Sequence, residues 1–449
     1  MHGKRINIID IYAFTMHNIE MDKSTLETII SDQLAEFLSF PTETIVRQTT
    51  NLKLDIKAIS KYKEAIIILG VRRCGKSFLM KLIAKELAES AQIFYLDLDD
   101  PRLISFQAND FQLAYEIWLK SAININKPSH LFIDEPQNVA GWERWVTFFS
   151  KQRNCHVIIT GSNSTMLGSS LATHLTGRHR EFNLFPLSFS EVLNSSKLAL
   201  FNESSTSIKK AKIAALLDNY FKYGGMPRAF LDCDRALLIQ YYKDIVIKDI
   251  APTRSGAKIR ELIELGNFLM SNNTKLVNKS KLAKQLGFKQ QRTITHYIQG
   301  FLDCFLFYEI KKFNASVRKQ ARSLPKYYCV DPAMAGVLGF TVLENKSSSL
   351  ENYVFLELKR RGYEVFYWTS KEGWEVDFLA RKHGEKTLAV QVCLDLSNKE
   401  IIERETRVIT SLAKEMKIRE LLIVTLEPYR AGGIDKNIRI EQFEEWARN

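Results

Sequence analysis

Residues 70–77 read GVRRCGKS and fit the pattern G-x-x-x-x-G-K-[ST] at every position. They lie between the apolar run AIIIL at 65–69 and a helical pattern over 78–90. No other stretch constrains the fold as much. A continuous apolar run reads as a strand buried on both faces, so helices must cover both sides of its sheet. The glycines let successive backbone N–H groups turn inward around phosphate oxygens, and the following helix adds its positive end. In this pattern Lys76 reaches the β- and γ-phosphates and the Ser77 hydroxyl ligates Mg²⁺. We therefore assign Gly70, Val71, Arg72, Arg73, Cys74, Gly75, Lys76, Ser77 and Phe78 to a nucleotide, ATP, with Mg²⁺ as cofactor.

The next apolar runs support a parallel sheet. Strands are expected at 93–98, 131–133 and 157–160, alternating with helices. The run LFIDE at 131–135 delivers Asp134 to a strand's carboxyl end, where ligands bind in open α/β sheets. Asp134 is expected to hold Mg²⁺ with Ser77. Glu135 is expected to orient the attacking water. The run VIITGSN at 157–163 ends in small polar groups, so Ser162 or Asn163 is either a γ-phosphate sensor or a turn former. Arg178, or Arg180 as second choice, is either a stabiliser of transition-state charge, in cis or from a neighbouring subunit, or a surface ion pair. The catalytic set on this reading is Glu135, Lys76, Arg178 and Asn163.

Composition sets limits. Of 449 residues, 63 are Lys or Arg and 51 Asp or Glu, a net charge of +12. That excess permits a polyanionic partner without requiring one. The six cysteines form no CxxC pair, which predicts reduced thiols and a cytoplasmic location. No run of 18 apolar residues occurs, and the N-terminus lacks a signal-peptide pattern, so no membrane association is expected.

Ahead of the sheet, 24–40 has helical spacing of Leu and Ile, stopped by Pro41. After about residue 185 the strand signals cease. Residues 190–270 read as helical, broken at Gly224-Gly225 and at Pro252. Residues 278–286 and 289–300, joined at Gly287-Phe288, read as a helix–turn–helix. Gln290, Gln291, Arg292 and Thr295 would face outward and can reach base edges. The run 311–326 carries six Lys or Arg and no acid. Either this region binds double-stranded DNA, or it is a packing module with a solvated basic loop. From 350 an α/β pattern resumes, with a helix at 350–361 and strands near 363–368, 375–380 and 388–393.

GVRRCGKS, LDLDD (96–100), LFIDEPQNVAGWERW, IITGSNSTML, LTGRHREFNLFPLSFSEVL and YGGMPRAF occur in this order. So do PKYYCVDPAM, LENYVFLELKRRGYEVFYW, EVDFLA and AVQVCLDLS. Together they resemble the AAA-type ATPases of bacteria and archaea that carry a C-terminal domain of unknown function of the DUF4143 type. The resemblance covers roughly 45–445. It implies an α/β protein with a P-loop NTPase parallel-sheet core, a helical lid plus winged-helix-like segment, and a C-terminal PD-(D/E)xK-like α/β domain. Residues 1–44 lie outside it and are read as an N-terminal helical extension; the division beyond them is the ATPase core at 45–188, the lid at 189–260, the winged-helix-like segment at 261–330 and the nuclease-like domain at 331–449. The resemblance implies ATP binding and hydrolysis and homo-oligomer assembly; that hydrolysis is coupled to conformational work on a DNA or protein partner is the expectation we add to it.

In the C-terminal domain, Glu351, Asp377 and Gln391 stand where such a nuclease holds its metal. Cys393 stands where a lysine is expected, and a thiol cannot supply that cation. Nuclease activity is therefore not expected. The alternative to an ATPase is a nucleotide-dependent binding switch with little turnover.

Overall fold

A computed structural model of the chain describes residues 21–39, 47, 59, 62–121, 127–152, 154–167, 177–196, 206–339, 345–429 and 434–448. They belong to two units. The first takes in Met1–Thr44, Leu52–Leu69 and Lys76–Asn183, and the second Ile45–Asn51, Gly70–Gly75 and Leu184–Asn449.

In the first unit the apolar runs become buried strands. Helix α1 (Lys23–Ser39) precedes β1 (Ala65–Leu69), α2 (Lys76–Leu87), β2 (Gln92–Asp97), α3 (Asp110–Ser121) and β3 (Ser129–Asp134). Then come α4 (Trp142–Ser150), β4 (Cys155–Gly161) and β5 (His179–Asn183). All pairings are parallel, and the order is β2-β3-β4-β1-β5. Every residue of β1 is buried. β5, absent from the strands expected of the sequence, is a polar edge strand with sequence HREFN. Period and apolarity cannot flag such a strand. Its register comes from pairing along β1, from Ala65↔His179 to Leu69↔Asn183.

α1 belongs to this sheet. Leu26, Ile29, Ile30 and Phe37 are its buried face, and the Phe37 ring stacks on Tyr95 of β2 at 3.8 Å. A 17-residue helix with one apolar stripe needs a surface to bury it. Pro41, its expected stop, lies outside the described residues.

The second unit continues with α5 (Phe189–Ser195), α6 (Thr206–Tyr223), α7 (Pro227–Leu231) and α8 (Ala236–Asp244). A π-helical turn, Ile245–Ile250, and a 3₁₀ turn, Ala251–Thr253, follow. Pro252 has no N–H to extend an α-helical ladder there. Next come α9 (Ile259–Ser271), α10 (Lys279–Gln285) and α11 (Gln291–Asp303). α11 starts two residues later than expected and runs three further. β6 (Phe307–Ile310) and β7 (Lys326–Cys329) form an antiparallel ribbon around α12 (Val317–Ala321). β7 corrects the expectation that 311–326 is one basic loop, because its last residue opens a buried strand.

α13 (Pro332–Leu338) leads to α14 (Lys346–Arg360) and to β8 (Glu364–Thr369), β9 (Glu375–Arg381) and β10 (Leu388–Cys393). α15 (Lys399–Met416), β11 (Glu420–Thr425), β12 (Ile438–Gln442) and α16 (Phe443–Trp446) complete the described elements. The sheet order is β12-β11-β10-β9-β8, antiparallel across β8, β9 and β10 and parallel from β10 to β12. α15 crosses between the parallel strands β10 and β11, as such a connection requires. Among the described residues no helix is long and apolar enough to cross a membrane.

Candidate functional site

Two parallel strands and the start of one helix place the polar groups of the first unit together. β3 ends at Asp134, β4 ends just before Ser162, and α2 begins at Lys76. Because β4 pairs with β3 from Ser129↔Cys155 onward, Thr160 and Ser162 arrive beside the acids. Lys76 Nζ lies 3.6 Å from Glu135 Oε1, and the lysine side chain is 5% exposed. The Thr160 hydroxyl donates to Asp134 Oδ1, and the Ser77 hydroxyl also bonds Asp134. Burial, then the charge of Glu135, pushes the Asp134 carboxyl up from its usual range, against those two hydroxyls and Lys76. Ser77 and Asp134 are hard oxygen donors, and that donor set suits Mg²⁺. They are the residues that would hold it.

Glu135 follows the strand with a left-handed backbone, φ 50°. Its Oε2 accepts from Ser162 Oγ at 3.3 Å and from the Gln137 amide. A non-glycine residue in that conformation carries strain of the kind concentrated at functional sites. Thr160 and Gln137 were not anticipated. The apolar run VIIT hides Thr160 as a strand residue, although its position opposite the LFID strand could have pointed to it.

One neighbour on β2 also went unassigned. Asp97 is the register partner of Asp134. Burial, then the charge of Asp134, pushes its carboxyl up to about 7. Gln33 of α1 bonds Asp97 through its backbone, accepting from the N–H at 2.9 Å and donating to the carbonyl at 3.2 Å. The signal lay in the string LDLDD.

In the second unit the glycine-rich loop shows the backbone that its sequence demands. Arg73 has φ 69° and Gly75 φ 100°. A Cβ on Gly70 would overlap the Leu184 carbonyl oxygen. Cys74 is fully buried, and its thiol donates to Leu184 O at 3.5 Å. The buried Arg47 guanidinium donates to the Cys74 carbonyl and to Phe185 O at 3.0 Å, and it pairs with Glu191 at 3.5 Å. Arg72 points its guanidinium at Asp249, with contacts of 2.9 to 3.1 Å. Nothing in the local sequence marks Arg47 or Asp249 as partners of a loop so distant along the chain. Phe78 is half-buried on the first turn of α2.

The remaining catalytic candidates fare differently. Asn163 is buried, and its Oδ1 accepts from Thr165 N at 2.8 Å, the turn-forming use of that side chain. Ser162, the other candidate sensor, meets Glu135. Arg178 is exposed and immediately precedes β5, where its carbonyl accepts from Ala65 N at 2.9 Å. Ala65 opens β1, whereas Lys76 follows the strand's far end. At about 3.3 Å per residue, five residues separate those ends by roughly 16 Å. The expectation of Arg178 acting in cis is therefore corrected: parallel register puts it at the wrong end of the sheet. Arg180 lies on the same strand, pairs with Glu64 at 3.3 Å and stacks over Tyr62 at 4.4 Å. It has the surface ion pair foreseen as its alternative.

Gln290, Gln291, Arg292 and Thr295 are exposed around the start of α11. Of the basic run, Arg318, Lys319 and Arg322 are exposed, but Lys326 is 4% exposed and pairs with Glu375 at 2.7 Å and Glu351 at 3.3 Å. This corrects the reading of the C-terminal cluster as lacking a cation. The ammonium comes from β7 instead of position 393. Glu351, on α14, also accepts from Tyr328 Oη at 2.7 Å. Asp377, on β9, accepts from Val392 N at 2.8 Å, and its own N–H donates to Gln391 Oε1 at 3.3 Å. Burial, then the charge of Glu351, pushes Asp377 well above the usual carboxylate range. Cys393 is buried against the apolar core, which pushes its thiol up to about 12.

Comparison with known proteins matches three consecutive segments. Residues 62–193 match an AAA domain, 214–347 the domain of unknown function DUF8612, and 346–443 the domain of unknown function DUF4143. The chain is 30% identical over 444 residues to the uncharacterized protein MJ1544 of Methanocaldococcus jannaschii, covering 96% of this chain and 95% of that one. It is 32% identical over 346 residues to an uncharacterized protein of Haemophilus influenzae, covering 74% and 82%. Among solved structures, the Thermotoga maritima RuvB Holliday junction branch migration motor aligns with TM-score 0.32 and 16% identity, over 59% of this chain and 89% of that one. The Aeropyrum pernix Orc1 protein in complex with DNA aligns with TM-score 0.29 and 10% identity, over 67% and 94%. At those scores neither lends its activity to this chain. The AAA domain implies ATP binding, and the near end-to-end match to the archaeal relative places the chain in a family: it belongs to the AAA-domain proteins that carry a C-terminal DUF4143 domain.

Proposed function

We propose that the protein is a Mg-dependent ATPase that couples hydrolysis to conformational work on a partner. The observation that carries this reading is the meeting of Lys76 with Glu135 beside Asp134, itself bonded by the Ser77 hydroxyl. Lys76 neutralises the β- and γ-phosphates, and residues 70–78 wrap them with backbone N–H groups. Ser77 and Asp134 would hold Mg²⁺, which would supply positive charge to the phosphates. Glu135 accepts a hydrogen bond from the attacking water and orients it, with Ser162 and Gln137 fixing the carboxylate. The working division is 45–188 for the ATPase core, 189–260 for the lid, 261–330 for a winged-helix-like segment and 331–449 for the C-terminal domain. Arg178 acts on the site of a neighbouring copy.

A second reading concerns the partner. The exposed start of α11 and the exposed Arg318, Lys319 and Arg322 favour double-stranded DNA, since phosphate contacts need unpaired surface cations. Steady-state ATP hydrolysis with Mg²⁺, with and without double-stranded DNA, tests both readings beside Glu135→Gln. Turnover that DNA raises supports the DNA partner. Turnover indifferent to DNA points to a protein partner. Binding of ATP without turnover in any condition replaces the ATPase with a nucleotide-dependent switch.

A further inference from the structure

Arg72 lies inside the phosphate loop, yet its guanidinium is aimed at Asp249. Nε reaches both carboxylate oxygens, at 3.1 and 2.9 Å, and Nη2 reaches Oδ1 at 2.9 Å. Such a forked contact is geometrically specific and stronger than a single neutral hydrogen bond. Asp249 is 8% exposed, and the paired guanidinium offsets part of the cost of burying its carboxylate. It sits in the π-helical turn Ile245–Ile250. A π turn is a rare element whose near alternative is an ordinary α turn, and it is found disproportionately at functional positions.

The same short segment grips α11. Arg254 pairs with Asp303, the last residue of α11. Gly300, one turn earlier on α11, leaves room for nothing larger: a Cβ there would meet Ile250 Cγ2 at 2.8 Å and Arg254 Nε at 2.9 Å. Thr253 bonds back to the carbonyls of Asp249 and Ile250 at 3.3 and 2.9 Å, tying the 3₁₀ turn to the π turn before it. One face of 245–254 therefore holds the phosphate loop, and another holds the helix whose exposed start carries Gln291, Arg292 and Thr295.

We propose that Arg72 and Asp249 are a positioning pair that couples nucleotide occupancy of the loop to α11 through residues 245–254. The proposal rests on the nucleotide reading given above and adds its route of regulation. Nucleotide binding draws the loop backbone around phosphate, and Arg72 carries that change to Asp249. Arg254 and the close contact at Gly300 carry it on to α11. Coupling between distant sites needs an element with two arrangements that both sites bias, and the π turn is that element.

Hydrogen–deuterium exchange on the full chain tests this, with Mg²⁺ plus a non-hydrolysable ATP analogue against Mg²⁺ alone. In wild type, exchange should slow in peptides covering 70–80 and also, by about threefold, in peptides covering 291–303. In Asp249→Asn the slowing at 70–80 should persist while that at 291–303 is lost. Asp303→Asn, at the second joint and outside the nucleotide loop, should give the same result and serves if Asp249→Asn folds poorly. Slowing at 70–80 without slowing at 291–303 in wild type overturns the coupling and leaves the nucleotide reading standing. So does slowing at 291–303 that survives in both variants. No slowing at 70–80 in wild type overturns the nucleotide reading, and the coupling falls with it.

Discussion

Lys76 Nζ and Glu135 Oε1 stand 3.6 Å apart, both side chains largely shielded from water. At that separation the attraction is strong, and each charge sets the position of the other. On the proposed function, a triphosphate would compete with Glu135 for the lysine, and its arrival would free the carboxylate to turn toward water. The pair would thus link phosphate binding to the readiness of the water-orienting group.

Replacing either member separates the two roles. Lys76→Ala is expected to weaken ATP binding by about 100-fold or more, read by calorimetry with Mg²⁺. An affinity within about threefold of wild type would show that Lys76 does not meet the phosphates. Glu135→Gln is expected to keep the affinity and lower turnover by about 10²–10⁴. Surviving turnover would remove Glu135 from the mechanism.

Asp97 predicts a pH dependence. Its carboxyl is raised from 3.8 to about 7 by burial and by Asp134. The folded state therefore holds a proton that the unfolded state releases at lower pH. Stability from this group is complete below about 4 and is lost as pH rises toward 7. In metal-free buffer, wild type should lose about 1–2 kcal/mol between pH 5 and pH 8 through this residue, allowing for its partial exposure. Urea denaturation of Asp97→Asn should show that loss removed. An unchanged pH slope in the variant would assign the proton elsewhere.

Gly224 has φ +79°, and a Cβ there would overlap the Asp331 carboxylate. That carboxylate accepts from the N–H groups of Gly225 at 2.9 Å, Met226 at 3.0 Å and Ala333 at 3.0 Å. Gly224→Ala is expected to cost about 2–4 kcal/mol, from backbone strain and loss of that cradle. Thermal denaturation reads this directly, and a Tm within about a degree of wild type would refute it.

Lys326 is the ammonium among Glu351, Glu375 and Asp377. Lys326→Met should destabilise the protein by about 3–5 kcal/mol, because buried carboxylates lose their counter-charge. Adding Glu351→Gln should recover part of that loss, since one of those charges goes with it. Purely additive losses in the double variant would mean that the pair does not interact.

The phosphate loop and the strand that feeds it were legible because glycine spacing and a two-sided apolar run leave few alternatives. So were Asp134 and Glu135, which follow directly from the end of such a strand. The helices at 279–285 and 291–303 were legible from their spacing and the glycine turn between them. Tertiary structure decided the rest. β5 is a polar edge strand, and only its register along β1 shows that Arg178 lies far from Lys76. Lys326 reads as one more cation in a basic run until β7 buries it beside Glu351 and Glu375. Arg47 and Asp249 lie far along the chain from the loop that they hold, and no local pattern encodes a contact of that kind. Local sequence determines backbone preference and which face is apolar. Which charged groups meet depends on how distant segments are brought together, and that is set by burial across the whole fold.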